Sequence, residues 1–444
     1  MEDGSDLLLP AREGNGMESK NVSVNKQGHL TFAGFDTVDL AQKYGTPLYL
    51  MDEDRIRENI RFYKRAVEKY FPAGSYVSYA GKAFACKQMY RLAKQEGICA
   101  DAVSPGEIYT AASAGFDCGK IFFHGNNKTD EDIRFAVRQG VGGFVADSID
   151  EISAIDDIAG NDGSVQKILL RITPDIDAHT HKKISTGTAD SKFGIPMAQA
   201  EQAVNAAAEC KNIKLCGFHY HIGSQIFDAQ PFVQAAKTMC GFVKKTAEKT
   251  GYAAQVLDIG GGFGVRYTSD APNPDIDKML REIADVINSE FENSAIKTPA
   301  VVIEPGRSIT ADAGMTLYTV GSVKKNGTNN YVSVNGGMTD NPRYTLYEAP
   351  YTVIIANKAD CPKDFTATLA GRCCESGDII QKNVYMPQPV RKDIVAVLTT
   401  GAYNYSMASN YNRVCRPPVV MLTGGKDYIA VRRETMQDIC ALDV

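Results

Sequence analysis

Four groups of residues in this chain have types and spacings suited to chemistry on a small molecule. Lys82 lies in Ser78-Tyr79-Ala80-Gly81-Lys82-Ala83, at the end of an apolar run where an ammonium is poorly solvated. A lysine so placed can lose its proton and form a Schiff base with an aldehyde; the alternative is a solvated surface lysine. Glu304 opens Glu304-Pro305-Gly306-Arg307, and its carboxylate either pairs with Arg307 or holds the proton of a pyridinium ring so that the ring accepts electrons. Gly260-Gly261-Gly262 carries an entropic cost, so either bare amides approach a phosphate there or the chain makes a tight strand-to-helix turn. His219 and His221 flank Tyr220 and, at strand spacing, share one face, as metal ligands do in some barrel hydrolases. A zinc site needs more ligands, and the other histidines are His29, His124, His179 and His181, the last two in an expected loop. Packing against a flat ring is the role expected of His221, with no metal.

Bringing these groups to one place requires a particular scaffold. After a short β-like start at Leu30–Phe35 and an extended Pro47–Met51, short apolar or β-branched runs alternate with turns and helical patterns, the grammar of βα units. Strands are expected at Tyr76–Ala80, Cys99–Val103, Ile121–Phe123, Gly143–Ala146, Ile168–Ile172, Leu215–Tyr220, Val256–Ile259 and Ala300–Ile303. Helix starts are marked by Asp52 before an amphipathic stretch to Phe71, by the capping box Ser104-Pro105-Gly106-Glu107, and by Thr129 and Ser148 ahead of acidic first turns. Eight such units closing on themselves make a (β/α)8 TIM-type barrel, expected over residues 49–312; an open doubly wound sheet rarely needs that number. Its active site belongs at the C-terminal strand ends. There the chain places Lys82, Asp101, Ser104, His124, Asp147, Arg171, His221, Ser224, the three glycines and Glu304 to Arg307.

From about Ala313 the grammar changes. Leu317–Lys324, Tyr331–Val334, Tyr351–Ile355, Phe365–Ala370, Ile394–Leu398, Val419–Leu422 and Tyr428–Arg432 read as strands with turns and no long helical period between them. Residues 313–444 are therefore expected to form an all-β domain that takes in residues 21–48 and their N-terminal strand.

Bulk properties narrow the function classes. A chain of 444 residues with 44% hydrophobic and 23% charged residues has room for two globular domains. Its net charge of -5, with interspersed signs, offers no basic stripe for nucleic acid and no cationic run for an anionic membrane surface. No stretch approaches the roughly 18 apolar residues of a membrane span, and Glu2, Asp3 and Asp6 stand where a signal peptide carries positive charge. A cytoplasmic protein is expected. The eleven cysteines show no CxxC spacing and include the adjacent Cys373 and Cys374, a poor disulfide geometry, so they are read as free thiols. Residues 1–20 hold too little apolar surface to offset ordering and are expected to stay unstructured.

Taken in order, the motifs resemble the fold-type III pyridoxal-phosphate decarboxylases, the barrel-plus-β-domain family that includes ornithine, arginine and diaminopimelate decarboxylases. The resemblance spans nearly all of the chain after residue 25. It is carried by SYAGKAF (78–84), DAVSPGE (101–107), FHGNNK (123–128), AHTHKKISTG (178–187), SKFG (191–194), HYHIGSQ (219–225), DIGGGFG (258–264), EPGR (304–307), GGMTDNPRYTLY (336–347), CCESGD (373–378) and GAYNYSMASNYN (401–412). It implies pyridoxal 5'-phosphate as cofactor, with Lys82 holding its aldehyde, His221 stacking on its ring and Glu304 pairing with the ring nitrogen. Ser224, Gly261, Gly262 and Tyr403 would hold its phosphate, and Gly306 and Arg307 would also bind the cofactor. Cys374 resembles the family's general acid, delivered by the partner subunit of a head-to-tail homodimer.

Within the family, Glu375 stands where ornithine decarboxylases have Asp, and those enzymes lack a counterpart of Arg343 with Tyr347. Arg307, Arg343, Tyr347 and Tyr403 suit a second substrate carboxylate, and Glu375 a second ammonium, the groups that diaminopimelate adds over a diamino-monoacid. Carboxynorspermidine, ornithine or arginine as substrates remain alternatives. So does an amino-acid racemase, although such enzymes place Arg where this chain has Glu304. One local departure is Phe84, where many relatives have Asn.

Overall fold

The computed structural model describes residues 20–174, 176 and 192–444. Residues 1–19 of the segment expected to be unstructured, the 178–187 motif and Ser191 lie outside the described residues. The chain divides into two compact units: residues 57–265 with 272–309, and residues up to Ile56 with 266–271 and 310–444.

The first unit is a closed barrel of eight parallel strands: Tyr76–Ala80, Cys99–Ala102, Ile121–Phe123, Gly143–Ala146, Gln166–Thr173, Ile213–His219, Val256–Asp258 and Ala300–Ile303. Each pairs with the next, and the eighth pairs with the first through Val302 opposite Tyr76. Alternate residues along these runs, such as Val77, Ala100, Phe144, Leu170, Phe218 and Leu257, are apolar and buried, and Phe218 packs at 4.8 Å on Phe242 of the helix Gln230–Thr250. Their neighbours Ser78, Asp101, His219 and Asp258, on the other face of the strands, are polar and buried and lie toward Glu304. The expected caps operate. Asp52 Oδ1 accepts the Arg55 amide at 3.0 Å, and Ser148 Oγ accepts that of Glu151 at 3.2 Å. Thr129 and Asp132 form a reciprocal capping box. At Ser104 the reciprocal bond is displaced, because Glu107 Oε2 takes the Val103 amide at 2.7 Å.

The second unit is built on a large sheet whose strands run in the order Ile379–Met386, Phe365–Ala370, Asn329–Val334, Gly314–Asn326, Leu48–Asp52, Val419–Thr423 and Lys426–Val431. Ile394–Leu398 pairs with the long central strand and with Val353–Ile355. The expected boundary at residue 49 is corrected here. Leu48–Asp52 is fully buried and pairs antiparallel to residues 314–317 and parallel to residues 419–422, so it is a central strand of this sheet. The segment expected to supply an N-terminal strand instead makes its own three-stranded sheet, Val22–Val24, Leu30–Phe32 and Phe35–Asp36. Its Leu30 and Phe32 pack into the same core as Leu50, Leu317, Leu398 and Val420.

Candidate active site

The polar residues at the strand ends gather around Glu304, which follows the eighth barrel strand. His219, ending the sixth strand, places Nε2 at 3.3 Å from Glu304 Oε2. His124, just past the third, places Nε2 at 3.1 Å from Glu304 Oε1, off the axis of a hydrogen bond. Burial alone would raise the Glu304 carboxyl, but the two imidazoles hold it well below the usual range. Asp101 and Asp258 behave oppositely: burial, and then the charge on Glu304, push both well above the ordinary carboxyl value. Of the three carboxyls, Glu304 is the one that keeps its negative charge most readily. Burial drives His219 down to about 4, which makes it a neutral ring that donates through Nε2.

His221, expected to pack against a flat ring, is neutral. Burial first, then the positive charges of Lys82 and Arg171, hold it well below its ordinary value. Its Nδ1 accepts the Gly261 amide at 3.3 Å, which leaves the proton on Nε2. His219 and His221 thus do not act as a ligand pair. His219 joins His124 and Glu304, whose ligand atoms lie within 4.8 Å of one another. The Gly261 N–H, expected to donate to a phosphate, donates here to His221. A Cβ at Gly261 would meet the Glu304 carbonyl oxygen at 2.2 Å, and one at Gly262 (φ +111°) the Gly223 oxygen at 2.3 Å. The glycines let backbone approach backbone.

Lys82 sits in the single turn Gly81–Ala83 after the first strand and is exposed rather than poorly solvated. Its charge reaches Asp101, Glu107 and His221. Beside it, Phe84 is 1% exposed and its carbonyl accepts the Tyr79 hydroxyl at 3.0 Å. Arg307 is buried and donates Nη2 to Ser224 Oγ at 2.8 Å, joining two residues expected to act together; Glu304 pairs with histidines rather than with Arg307. Gly306 is close-packed, its Cβ position lying 2.9 Å from that of Ala80. Asp147 Oδ2 accepts the Gly194 amide at 2.9 Å, and Phe193 lies under the Arg171 guanidinium at 4.4 Å. These two contacts seat the Lys192–Gly194 end of one motif.

The other expected site residues lie in the sheet unit. Arg343 begins the short helix Arg343–Tyr347 and is 5% exposed. Nη1 donates to the Tyr351 hydroxyl at 2.7 Å, and the guanidinium lies over Tyr267 at 4.7 Å and Tyr351 at 5.5 Å. Asn404 supports Tyr351 from Nδ2 at 3.3 Å. Among the described residues no carboxylate pairs with this buried cation, which leaves the rest of its donor fork suited to an anion from outside. Tyr347 is half-buried, while Cys374 and Glu375 are exposed. Tyr403 is held at φ +64°, a left-handed conformation that costs a tyrosine strain. Reading single strand ends had brought out His124 and Asp101 as mouth residues but not their convergence on Glu304. Tyr267 carried no sequence signal, Tyr351 was expected only as the start of a strand, and Asn404 was covered only as part of the 401–412 motif.

Comparison with known proteins places this geometry. Residues 53–311 match the family model described as pyridoxal-dependent decarboxylase, pyridoxal binding domain. The diaminopimelate decarboxylase of Bacillus subtilis (strain 168) is 43% identical over 425 residues, 95% of this chain and 96% of that protein. Among solved structures, diaminopimelate decarboxylase from M. jannaschii in co-complex with L-lysine superposes with a TM-score of 0.88 at 33% identity, covering 96% of this chain and 98% of the other. The Helicobacter pylori enzyme complexed with L-lysine gives 0.84 at 30% identity, with 92% and 99% coverage.

Proposed function

We propose, from the premise that this chain belongs to the pyridoxal-dependent decarboxylases, that it converts meso-2,6-diaminopimelate to L-lysine and carbon dioxide. The observation that carries the substrate assignment is Arg343, a buried guanidinium stacked on two tyrosines with no carboxylate partner among the described residues. The cofactor is pyridoxal 5'-phosphate, and the barrel mouth fits it. Glu304 Oε1 is a buried carboxylate oxygen without an aligned hydrogen-bond partner, as a site for a ring N–H requires.

When bound, the cofactor supplies an aldehyde that takes up an amine and a ring that accepts the electron pair left by departing carbon dioxide. Lys82 would hold the cofactor's aldehyde through Nζ. Glu304, kept ionised by His124 and His219, holds a proton at the ring nitrogen. His221, neutral and seated by Gly261, would pack against the ring. Ser224, Gly261, Gly262 and Tyr403 would hold the phosphate, and Gly306 and Arg307 would also contact the cofactor. Arg343, with Arg307, Tyr347 and Tyr403, binds the second carboxylate, and Glu375 the second ammonium. Cys374 Sγ gives its proton to the carbon that lost carbon dioxide.

Because Cys374 and Glu375 are exposed in the single chain, we assign them to the site of the partner subunit in a homodimer. We place the enzyme in the cytoplasm: the eleven cysteines are free, which suits a reducing compartment, and no helix among the described residues is long and apolar enough to cross a membrane.

The test is an absorbance spectrum of the protein with pyridoxal phosphate, before and after meso-diaminopimelate, with lysine and carbon dioxide measured. A long-wavelength band that Lys82→Ala abolishes, together with both products, is the expected result. Turnover retained by Lys82→Ala would overturn the mechanism, and a band without lysine would overturn the substrate.

A further inference from the structure

We infer that Asn412 is the positioning residue for Cys374, an inference that rests on the acid role given to Cys374 above. Cys374 lies in the loop between strands Phe365–Ala370 and Ile379–Met386. Arg372 and residues 374–377 are exposed, so little apolar burial holds their backbone in place. Two polar anchors do so instead. The first is Asp378, 3% exposed, whose carboxylate accepts the amides of Cys373 and Met338, each at 2.6 Å. The loop wraps it so closely that a Cβ at Gly371 or Gly337 would come within 2.2 or 2.4 Å of an Asp378 oxygen. Charge-assisted bonds of this kind fix the backbone as far as residue 373.

The next amide is the one that decides where the thiol points. Cys374 N–H donates to Asn412 Oδ1 at 2.8 Å. With consecutive amides held by two separate segments, the direction of the Cys374 Cα–Cβ bond is set although the side chain itself is exposed. A group that must reach beyond its own unit needs that rigidity. Asn412 is itself at φ +50°, ψ 25°, a left-handed conformation that Asn and Gly adopt most readily. It therefore combines a backbone conformation open to few residues with the acceptor the loop needs.

The combination can be dissected by substitution. Asn412→Gly keeps the backbone conformation and removes the acceptor. Asn412→Asp keeps both. The readout is where the proton goes once carbon dioxide has left. Protonation of the carbon that lost it gives lysine. Protonation at the cofactor's former aldehyde carbon, followed by addition of water, releases 2-amino-6-oxohexanoate and leaves the amino group on the cofactor as pyridoxamine phosphate. Pyridoxamine phosphate formed per lysine measures misdirected protonation turnover by turnover. A variant that is merely less stable loses active enzyme without changing that ratio.

In the holoenzyme, Cys374→Ala is expected to raise the ratio. Asn412→Gly should raise it at least about tenfold over wild type, a fraction of what losing a general acid costs. Asn412→Asp should stay within about threefold of wild type, since a carboxylate oxygen accepts the same amide. If Cys374→Ala raises the ratio and Asn412→Gly leaves it at the wild-type value, the positioning role is refuted and the acid role stands. If Cys374→Ala leaves the ratio unchanged, the acid role fails and the positioning role falls with it.

Discussion

Arg343→Met removes a charge while roughly keeping length and apolar stem, and its consequence can be worked from the contacts. One amino group is already committed to the Tyr351 hydroxyl at 2.7 Å, so the remaining donors can make one two-point contact with a carboxylate. Hydrogen bonds to charged groups contribute about 1.5 to 3 kcal/mol each, so the pair is worth on the order of 3 to 5 kcal/mol. At about 1.4 kcal/mol per factor of ten, kcat/KM for diaminopimelate should fall about 10² to 4 × 10³-fold. The guanidinium also covers Tyr267 at 4.7 Å, so part of any loss will be packing and will appear as a lower Tm. A substrate comparison separates the two effects. D-lysine offers the same reacting centre without the second carboxylate, so its rate should change little while the ratio of diaminopimelate to D-lysine collapses. Carbon dioxide release from both substrates measures this directly. If both lose activity in the same proportion, Arg343 serves the fold and not the second carboxylate. Arg343→Lys, which keeps the charge and loses the fork, should fall between wild type and Met.

Two further outcomes test the electrostatics of each unit. Lys128 and Glu151, 1% and 6% exposed, form a buried pair beneath the loop that carries His124, and Lys128 Nζ also donates to the Gly125 and Val145 carbonyls at 2.9 and 2.8 Å. Lys128→Met leaves Glu151 buried without its cation and should cost about 3 to 5 kcal/mol in urea denaturation, whereas Lys128→Met with Glu151→Leu should recover most of that loss; equal losses would show that the pair is not coupled. In the sheet unit, burial pushes Asp340 up to about 7 from 3.8. The folded state therefore binds this proton more tightly than the unfolded state, and the stability it contributes is present below pH 4 and lost as pH rises towards 7. Asp340→Asn should flatten the fall in Tm between pH 4 and 7, and an unchanged slope would assign that fall to other groups.

What the sequence disclosed and what it withheld follow from the range of the interactions involved. Ile121–Phe123, Gly143–Ala146 and Ala300–Ile303 lie where their apolar runs predict, because a strand buried on both faces is continuously apolar and its neighbours are turns. Leu48–Asp52 has that same local pattern, and nothing in five buried residues says which sheet will take them; only pairing with residues 314–317 and 419–422 decides it. Ile379–Met386 was not anticipated because Gln381, Lys382 and Asn383 interrupt it and Asn383 turns to φ +55°, which breaks the alternation that marks a half-buried strand.

The site shows the same division more sharply. Period-two alternation puts His219 and His221 on one face, yet the sixth strand ends at His219, so the rule lapses between them and the two rings take different partners. His219 meets Glu304 and His124 from two other strands, a convergence that exists only once the barrel closes. Gly261 yields to the carbonyl of Glu304, and a close approach by backbone leaves the same mark on a sequence as one by phosphate. Residue types at strand ends are therefore legible one at a time. The charge on Glu304, which requires His124, His219, Asp101 and Asp258 together, belongs to the closed barrel and to no segment of the chain.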